Sequence, residues 1–402
     1  MEPTLPRPSG GFATRAVHGA AIVPEVTQQP VGPAIWPSAT WAMPTSSGVG
    51  DLLTDGTPGY VYGRYDNPTA TTLHGLIASL HETPAAWSSA SGTAAIHSVL
   101  SVLRGDGRIL STSRLYGGTW ALLQRLAAES GWAVDHADLL SADDLRAALT
   151  DAHTLVYVET LANPSTAVAD LAGMAAVCRE RDVPLVVDNT FASPWLCRPY
   201  ELGATAVVES ATKYLAGHGD VVAGVVAADA EVVAAVRHHT VELGASLGPF
   251  EAWLVVRGIQ TLPLRMRAAG ANALAVARAL ADSGVVADVR YPGLEHHPQH
   301  DLATGLFGGR GHGGVLSFDL PDRAAAEAFA DGCRVFARAA SLGGTHSLVL
   351  HPASTSHRQL DDAALSAAGL GPGTIRLAVG IEDEQDLVDD VRQALTAAAA
   401  LR

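Results

Sequence analysis

The sequence predicts an α/β fold, with a large domain on a mostly parallel sheet followed by a smaller C-terminal α+β domain. Three observations predict it. Short, continuous apolar runs alternate with stretches of helical period as far as residue 228. Those runs lack the in–out alternation of a half-exposed strand, so they read as strands covered on both faces, the usual state of a parallel sheet. A long helical stretch at 249–281, broken by Gly258 and Pro263, then separates this pattern from a sparser one. The 402 residues, 48% of them apolar, leave room for about two to three domains with substantial cores.

The elements follow in order. Residues 1 to 60 are rich in Gly, Pro, Ser and Thr and read as an extended arm with little core of its own. Residues 69–81 form a helix, with Leu73, Leu76, Ile77 and Leu80 on one face. Ser91-Gly92-Thr93 leads into a second helix over 94–103. Strands at 109–111 and 133–135 alternate with helices at 119–128 and 145–149. The apolar run 155–158 ends at Glu159, the run 184–187 at Asp188 and the run 206–208 at Glu209. A helix at 171–180 lies between the first two, and a further run spans 221–228. Beyond 281, strands are expected near 285–291, 314–320 and 374–379, with helices at 324–330 and 386–399. There is no internal repeat.

Composition excludes several functions. The net charge of −15, from 26 basic and 41 acidic residues, opposes nucleic-acid binding, which needs a basic face. No apolar run reaches the roughly 18 residues of a membrane span, and the N-terminal segment has no signal-like apolar stretch. Cys178, Cys197 and Cys333 lie far apart without CxxC spacing, so neither a disulfide framework nor a zinc motif is expected. A cytoplasmic location fits.

One residue count carries chemistry. Of the 26 basic residues, 25 are arginine and one, Lys213, is lysine. Arginine stays protonated and cannot form an imine, so a site that needs a nucleophilic side-chain amine has no other source in this chain. In open α/β sheets, ligands sit beyond the carboxyl ends of strands. Asp188 ends one predicted strand, while Ser210, Thr212 and Lys213 follow another, and Asn163 follows a third. Such a set suits pyridoxal phosphate (PLP). Lys213 meets its aldehyde, and Asp188 keeps its pyridine nitrogen protonated. Backbone N–H groups at a helix start near Gly92 and Thr93, with the hydroxyls of Ser210 and Thr212, meet its phosphate. Tyr116 offers a ring to stack on it.

The run Glu209-Ser210-Ala211-Thr212-Lys213-Tyr214 resembles the lysine motif of the Cys/Met-metabolism PLP family, which includes cystathionine γ-synthase, cystathionine γ-lyase, methionine γ-lyase and O-acylhomoserine sulfhydrylase. The resemblance extends through Tyr62-Gly63-Arg64-Tyr65, Ala90-Ser91-Gly92-Thr93, Asp188-Asn189-Thr190, Ser341-Leu342-Gly343-Gly344 and Ile375-Arg376-Leu377. It implies a PLP-dependent aminotransferase-like fold (fold type I). Lys213 would be the Schiff-base lysine, Asp188 the pyridinium partner and Tyr116 the stacking ring and acid/base group. Gly92, Thr93, Ser210 and Thr212 would hold the phosphate, completed by Tyr62 and Arg64 from a neighbouring subunit. Arg376, with Ser341 and Asn163, would bind the substrate carboxylate as a fork.

The implied organisation is an arm over 1–65 reaching the neighbouring subunit, a PLP-binding domain over 66–262 and a C-terminal domain over 263–402. The assembly would be a homotetramer, a dimer of catalytic dimers. The implied reaction is γ-elimination or γ-replacement on a γ-substituted amino acid. The alternatives are an O-acylhomoserine sulfhydrylase or a specialised γ-lyase with a non-sulfur leaving group.

Departures bear on substrate. Methionine γ-lyases carry cysteine at the position of Gly118 and a lysine–aspartate pair at Thr240-Val241, which disfavours methionine. Cystathionine-handling members carry glutamate at His346, which weakens the case for cystathionine itself. The segment 350–359 looks closer to sulfhydrylases. Glu209 stands where the family usually has histidine. Three rival motifs fail on context. Ser210-Ala211-Thr212-Lys213 reads as S-x-x-K, but its K-T-G companion is impossible with one lysine. The G-x-G-x-x-G at 309–314 precedes a strand rather than a helix. His296, His297 and His300 lack ordered metal-ligand spacing and read as a surface loop, so no metal is expected.

Overall fold

The computed structural model describes residues 10–18, 31–43, 45–53, 59–286, 288–355, 365 and 369–399. The end of the 350–359 segment therefore lies outside the described residues, as do parts of the N-terminal arm.

Two sheets organise the chain. The larger contains β1 (Ala85–Ser89), β2 (Arg108–Thr112), β3 (Ala133–Ala137), β4 (His153–Glu159), β5 (Leu185–Asp188), β6 (Ala206–Glu209) and β7 (Gly224–Ala228). Its order is β1-β7-β6-β5-β4-β2-β3. The pairings from β3 through β2, β4 and β5 to β6 are parallel, while β7 runs antiparallel to both β6 and β1. The smaller sheet contains β8 (Asp288–Arg290), β9 (Val315–Asp319), β10 (Ala337–Arg338), β11 (Leu348–Leu350) and β12 (Thr374–Ala378), in the order β10-β11-β12-β9-β8.

Helices cover the large sheet on both faces. In chain order they begin with α1 (Phe12–His18), α2 (Ser46–Leu53), α3 (Pro68–His81), α4 (Gly92–Leu103) and α5 (Gly117–Ser130). Next come α6 (Ala142–Ala148), α7 (Leu171–Glu180), α8 (Ser193–Leu196), α9 (Ala230–Glu242) and α10 (Pro249–Ile259). The chain ends with α11 (Leu262–Ala281), α12 (His300–Leu306), α13 (Arg323–Gly332) and α14 (Glu384–Ala399). Capping sets several starts. Asn67 accepts from Thr69 N ahead of α3, and Ser91 from Ala94 N ahead of α4, each satisfying a donor that the first helical turn leaves free. Among the described residues no helix is long and apolar enough to cross a membrane.

Strand alternation splits the large sheet's core in two. Tyr157, Val186 and Val208 pack on one face with Ile96 and Val99 of α4. Val158, Val187 and Val207 pack on the other with Leu73, Leu76 and Ile77 of α3.

The structure corrects the reading of the arm. Phe12 and Ala16 of α1 are buried in the large core, and Phe12 meets Trp195 edge-on at 5.4 Å. An isolated seven-residue helix carried no legible period. The break in the long helical stretch falls at Gln260-Thr261. Gly258 remains inside α10, and Pro263 occupies the first turn of α11, where a missing N–H costs nothing. Leu262 and Met266 of α11 join the large core, while Ala273, Val276 and Leu280 join the small one. The division expected at 262/263 thus meets a helix shared by both cores. Strands β1, β10 and β11 and helices α2, α8, α9 and α12 go beyond the elements the sequence predicts, and α12 includes His300, which the sequence places in a loop.

Candidate active site

Parallel register sets Glu159 beside Asp188 and Asp188 beside Val208, so three neighbouring strands end in three buried acids, Glu159, Asp188 and Glu209. Asp188 Oδ1 accepts from Thr190 N at 2.9 Å and Oδ2 from the Tyr157 hydroxyl at 3.1 Å. Burial pushes this carboxyl above the usual range, against the opposing pull of the Thr190 and Tyr157 donors.

Lys213 lies in a tight turn after β6, with its N–H on Ser210 O at 3.1 Å and its carbonyl on Gly217 N at 2.7 Å. Its Nζ donates to Ser341 Oγ at 2.8 Å. Burial, with the nearby charge of Arg376 second, lowers the amine to about 8. The 341–344 loop can come this close because Gly343 has φ +76° and no side chain; a Cβ there would lie 2.7 Å from Tyr214 N.

Arg376 projects from β12 with only 3% exposure. Nη1 donates to Asn163 Oδ1 at 3.1 Å and Nη2 to Ser341 O at 2.7 Å. Its Nε is buried with no partner among the described residues. Burial lowers this guanidinium to about 10, so it stays cationic at neutral pH with donors to spare.

Glu159 connects Tyr116 to this cluster and was missed from sequence. Its Oε1 accepts from Tyr116 N at 2.7 Å and its Oε2 from Asn163 N at 3.0 Å. Burial and then the charge of Asp188 raise its carboxyl well above the usual range. The available signal was an acid closing an apolar run, the same pattern that picked out Asp188. Tyr116 itself is 44% exposed, with its ring lying over Gly118.

On the opposite flank, the N-terminus of α4 meets Ser210. A Cβ on Gly92 would lie 2.8 Å from Ser210 Cβ and 3.0 Å from its Oγ, so this approach needs glycine. Thr93 is exposed on the first turn. The Thr212 hydroxyl donates to Ala223 O at 3.2 Å and accepts from Ala223 N at 3.0 Å, which occupies its only proton. Tyr62 and Arg64 lie apart from this group. Both are exposed; Arg64 donates to Val241 O at 2.8 Å and packs over the Tyr65 ring.

The set fits pyridoxal phosphate. It offers one partly neutral amine, a buried carboxylate on the same sheet edge, a helix N-terminus beside a serine hydroxyl, and a buried guanidinium with an orphaned donor. No cluster of His, Cys, Asp and Glu among the described residues is arranged to hold a metal ion.

Comparison with known proteins agrees with the geometry. The profile of a family described as Cys/Met metabolism PLP-dependent enzyme matches residues 13–396. An L-methionine gamma-lyase from Pseudomonas putida is 40% identical over 401 residues, covering 97% of this chain and 98% of that protein. A cystathionine beta-lyase from Lactococcus lactis subsp. cremoris is 38% identical over 383 residues, covering 95% and 98%. Among solved structures, cystathionine gamma synthase from Xanthomonas oryzae pv. oryzae in complex with cystathionine matches with a TM-score of 0.91 at 36% identity, covering 98% of this chain and 100% of that one.

Proposed function

The chain belongs to the Cys/Met metabolism PLP-dependent enzyme family, and from that premise we propose that it catalyses elimination or replacement at the γ-carbon of a γ-substituted amino acid. The observation that carries the reading is the placement of Lys213 and Arg376 on one serine, with Nζ on Ser341 Oγ and Nη2 on Ser341 O. An amine able to carry protons thus sits beside a fork able to hold a carboxylate.

The cofactor, when bound, supplies an aldehyde for Lys213 and a protonated ring that withdraws electrons from the substrate's α-carbon. Asp188 would pair with the ring nitrogen, where the negative charge of its carboxylate would favour the protonated ring. Gly92, Thr93 and Ser210 offer backbone N–H groups and a hydroxyl to the phosphate, while Thr212 closes the turn onto Ala223. Arg376 takes the substrate carboxylate through its unused donors, with Asn163 and Ser341 fixing its plane. Lys213 takes the α-proton and moves protons between adjacent carbons; an amine near 8 both accepts and returns them at neutral pH. Tyr116, 44% exposed, would stack on the ring and carry a proton to or from the leaving group.

Tyr62 and Arg64 would complete the phosphate site of a neighbouring copy. Their exposure leaves them open to such a copy, and we infer a catalytic dimer, paired into a homotetramer, that works in the cytoplasm. Methionine is a poor candidate substrate. Gly118 presents no side chain, and Thr240 is buried with its hydroxyl on Val236 O and Ser98. An O-acylhomoserine sulfhydrylase or a γ-lyase with a non-sulfur leaving group uses the same machinery. The relative named cystathionine beta-lyase makes β-chemistry the rival.

A panel of β- and γ-substituted amino acids, with products identified by mass spectrometry, decides between them. Turnover at Cγ is expected, and reaction of β-substituted compounds alone would overturn the assignment. Borohydride reduction followed by peptide mapping should place the pyridoxyl group on Lys213.

A further inference from the structure

A second buried polar cluster lies on the other side of the large sheet. The pairing of Asp188 with Val208 sets Glu209 one position further along β6, so its side chain leaves the face opposite Asp188. Glu209 is 1% exposed, and His81, at the end of α3, is fully buried. Glu209 Oε1 lies 3.2 Å from His81 Nε2, close enough for an ion pair although not aligned as a hydrogen bond. The same oxygen accepts from Asn189 Nδ2 at 2.8 Å. Asn189 also donates to Cys197 O at 3.0 Å and accepts from Thr160 Oγ1 at 2.7 Å. The residue after Glu209 is tied to the same turn, since Ser210 N donates to Thr190 Oγ1 at 2.9 Å.

These bonds link the ends of β4, β5 and β6 through groups flanking Asp188 and Lys213. A buried carboxylate is strongly disfavoured unless it is paired and hydrogen-bonded, and His81 is the imidazole placed to pair it. Glu209 is also among the charges that raise the Asp188 carboxyl.

We propose that Glu209 and His81 form a positioning pair. From the far face of the sheet they fix Asn189, and with it the strand ends that carry Asp188, Thr190 and Ser210 to the cofactor. The proposal rests on the assignment of Asp188 and Lys213 to that cofactor. It accounts for glutamate at a position where the family usually has histidine: here the histidine stands opposite, on α3.

The test is a charge-swap cycle on the full chain, with E209Q, E209H, H81E and the double variant H81E/E209H. Three quantities are read: pyridoxal-phosphate affinity of the cofactor-stripped chain by fluorescence quenching, visible circular dichroism after reconstitution, and Tm of the stripped chain. Expected are losses of about tenfold or more in affinity for E209H and H81E, and recovery to within about threefold in the double variant, as coupled neighbours show. E209Q, isosteric but neutral, should weaken binding by about three- to tenfold and change the dichroic band while Tm holds. Wild-type affinity and dichroism in E209Q and E209H would overturn the proposal, as would a double variant no better than its weaker parent. If the single variants do not fold, the double variant decides alone: wild-type binding supports the pair and failure overturns it. K213A separates the premise, since a cofactor adduct that survives it places the site elsewhere whatever the cycle shows.

Discussion

Lys213 Nζ and Ser341 Oγ lie 2.8 Å apart, and the carbonyl of the same serine accepts from Arg376 Nη2 at 2.7 Å. One residue therefore spaces the two cations of the site. Ser341 does so at φ +136°, a region that side chains other than glycine rarely occupy, and strain of this kind costs about 1–3 kcal/mol. The large sheet contributes the amine and the small sheet the guanidinium, so the loop carrying Ser341 joins two separately packed cores.

The first prediction concerns the amine. With Lys213 lowered to about 8 by burial and then by Arg376, cofactor capture by the stripped chain should rise with pH and reach half its maximum near that value. The unfolded amine keeps its ordinary higher value, so between about 8 and that value the unfolded chain binds the extra proton. Stability of the stripped chain should therefore increase with pH across this window. R376M removes the second cause and should move the midpoint upward by less than the full shift. A wild-type midpoint near that of free lysine, followed by stopped-flow absorbance, contradicts the burial.

A second prediction follows from the backbone at Ser341. Both S341A and S341G lose the hydroxyl, but only glycine relieves the positive φ. S341G should exceed S341A in stability by about 1 kcal/mol in urea melts, with cofactor capture impaired in both. Equal stability would mean that the serine sits there without strain.

Much of this site was legible because its chemistry needs rare residue types at predictable places. Lys213 is the chain's single lysine, and Asp188 closes an apolar run. Glu159 closes another, yet its role depends on backbone N–H groups of Tyr116 and Asn163, and no sequence pattern encodes a bond to a backbone group in another loop. The partner of Glu209 was hidden for a related reason: His81 is 128 positions earlier on a helix, read only as the end of an apolar face. Strands β10 and β11, of two and three residues, are too short for any period to register.

The third prediction tests the carboxylate fork. N163A frees Arg376 Nη1 from Asn163 Oδ1 and should raise KM for the amino acid by about tenfold while kcat stays within about threefold, as expected when binding common to ground and transition states is lost. N163D should be worse, since its carboxylate competes with the substrate's for the same guanidinium. Equal KM values for the two variants would remove Arg376 from carboxylate binding.

The last prediction sets stability against activity at Gly118. In the first turn of α5, replacing glycine by alanine ordinarily stabilises a helix by about 0.5–1 kcal/mol. Here the new Cβ would collide with Tyr116 Cε1 and lie 2.8 Å from Cζ. The Tyr116 ring is 44% exposed and can swing outward, so the clash is relieved without damage to the core. G118A should therefore fold with Tm unchanged or slightly raised and retain its cofactor on Lys213, because neither Lys213 nor Ser210 is touched. Turnover should fall by about tenfold or more, since a ring moved off Gly118 loses part of the roughly 10²–10⁴-fold contribution of a positioned acid–base group. Full turnover in G118A, measured by steady-state product release, would remove Tyr116 from the acid–base role.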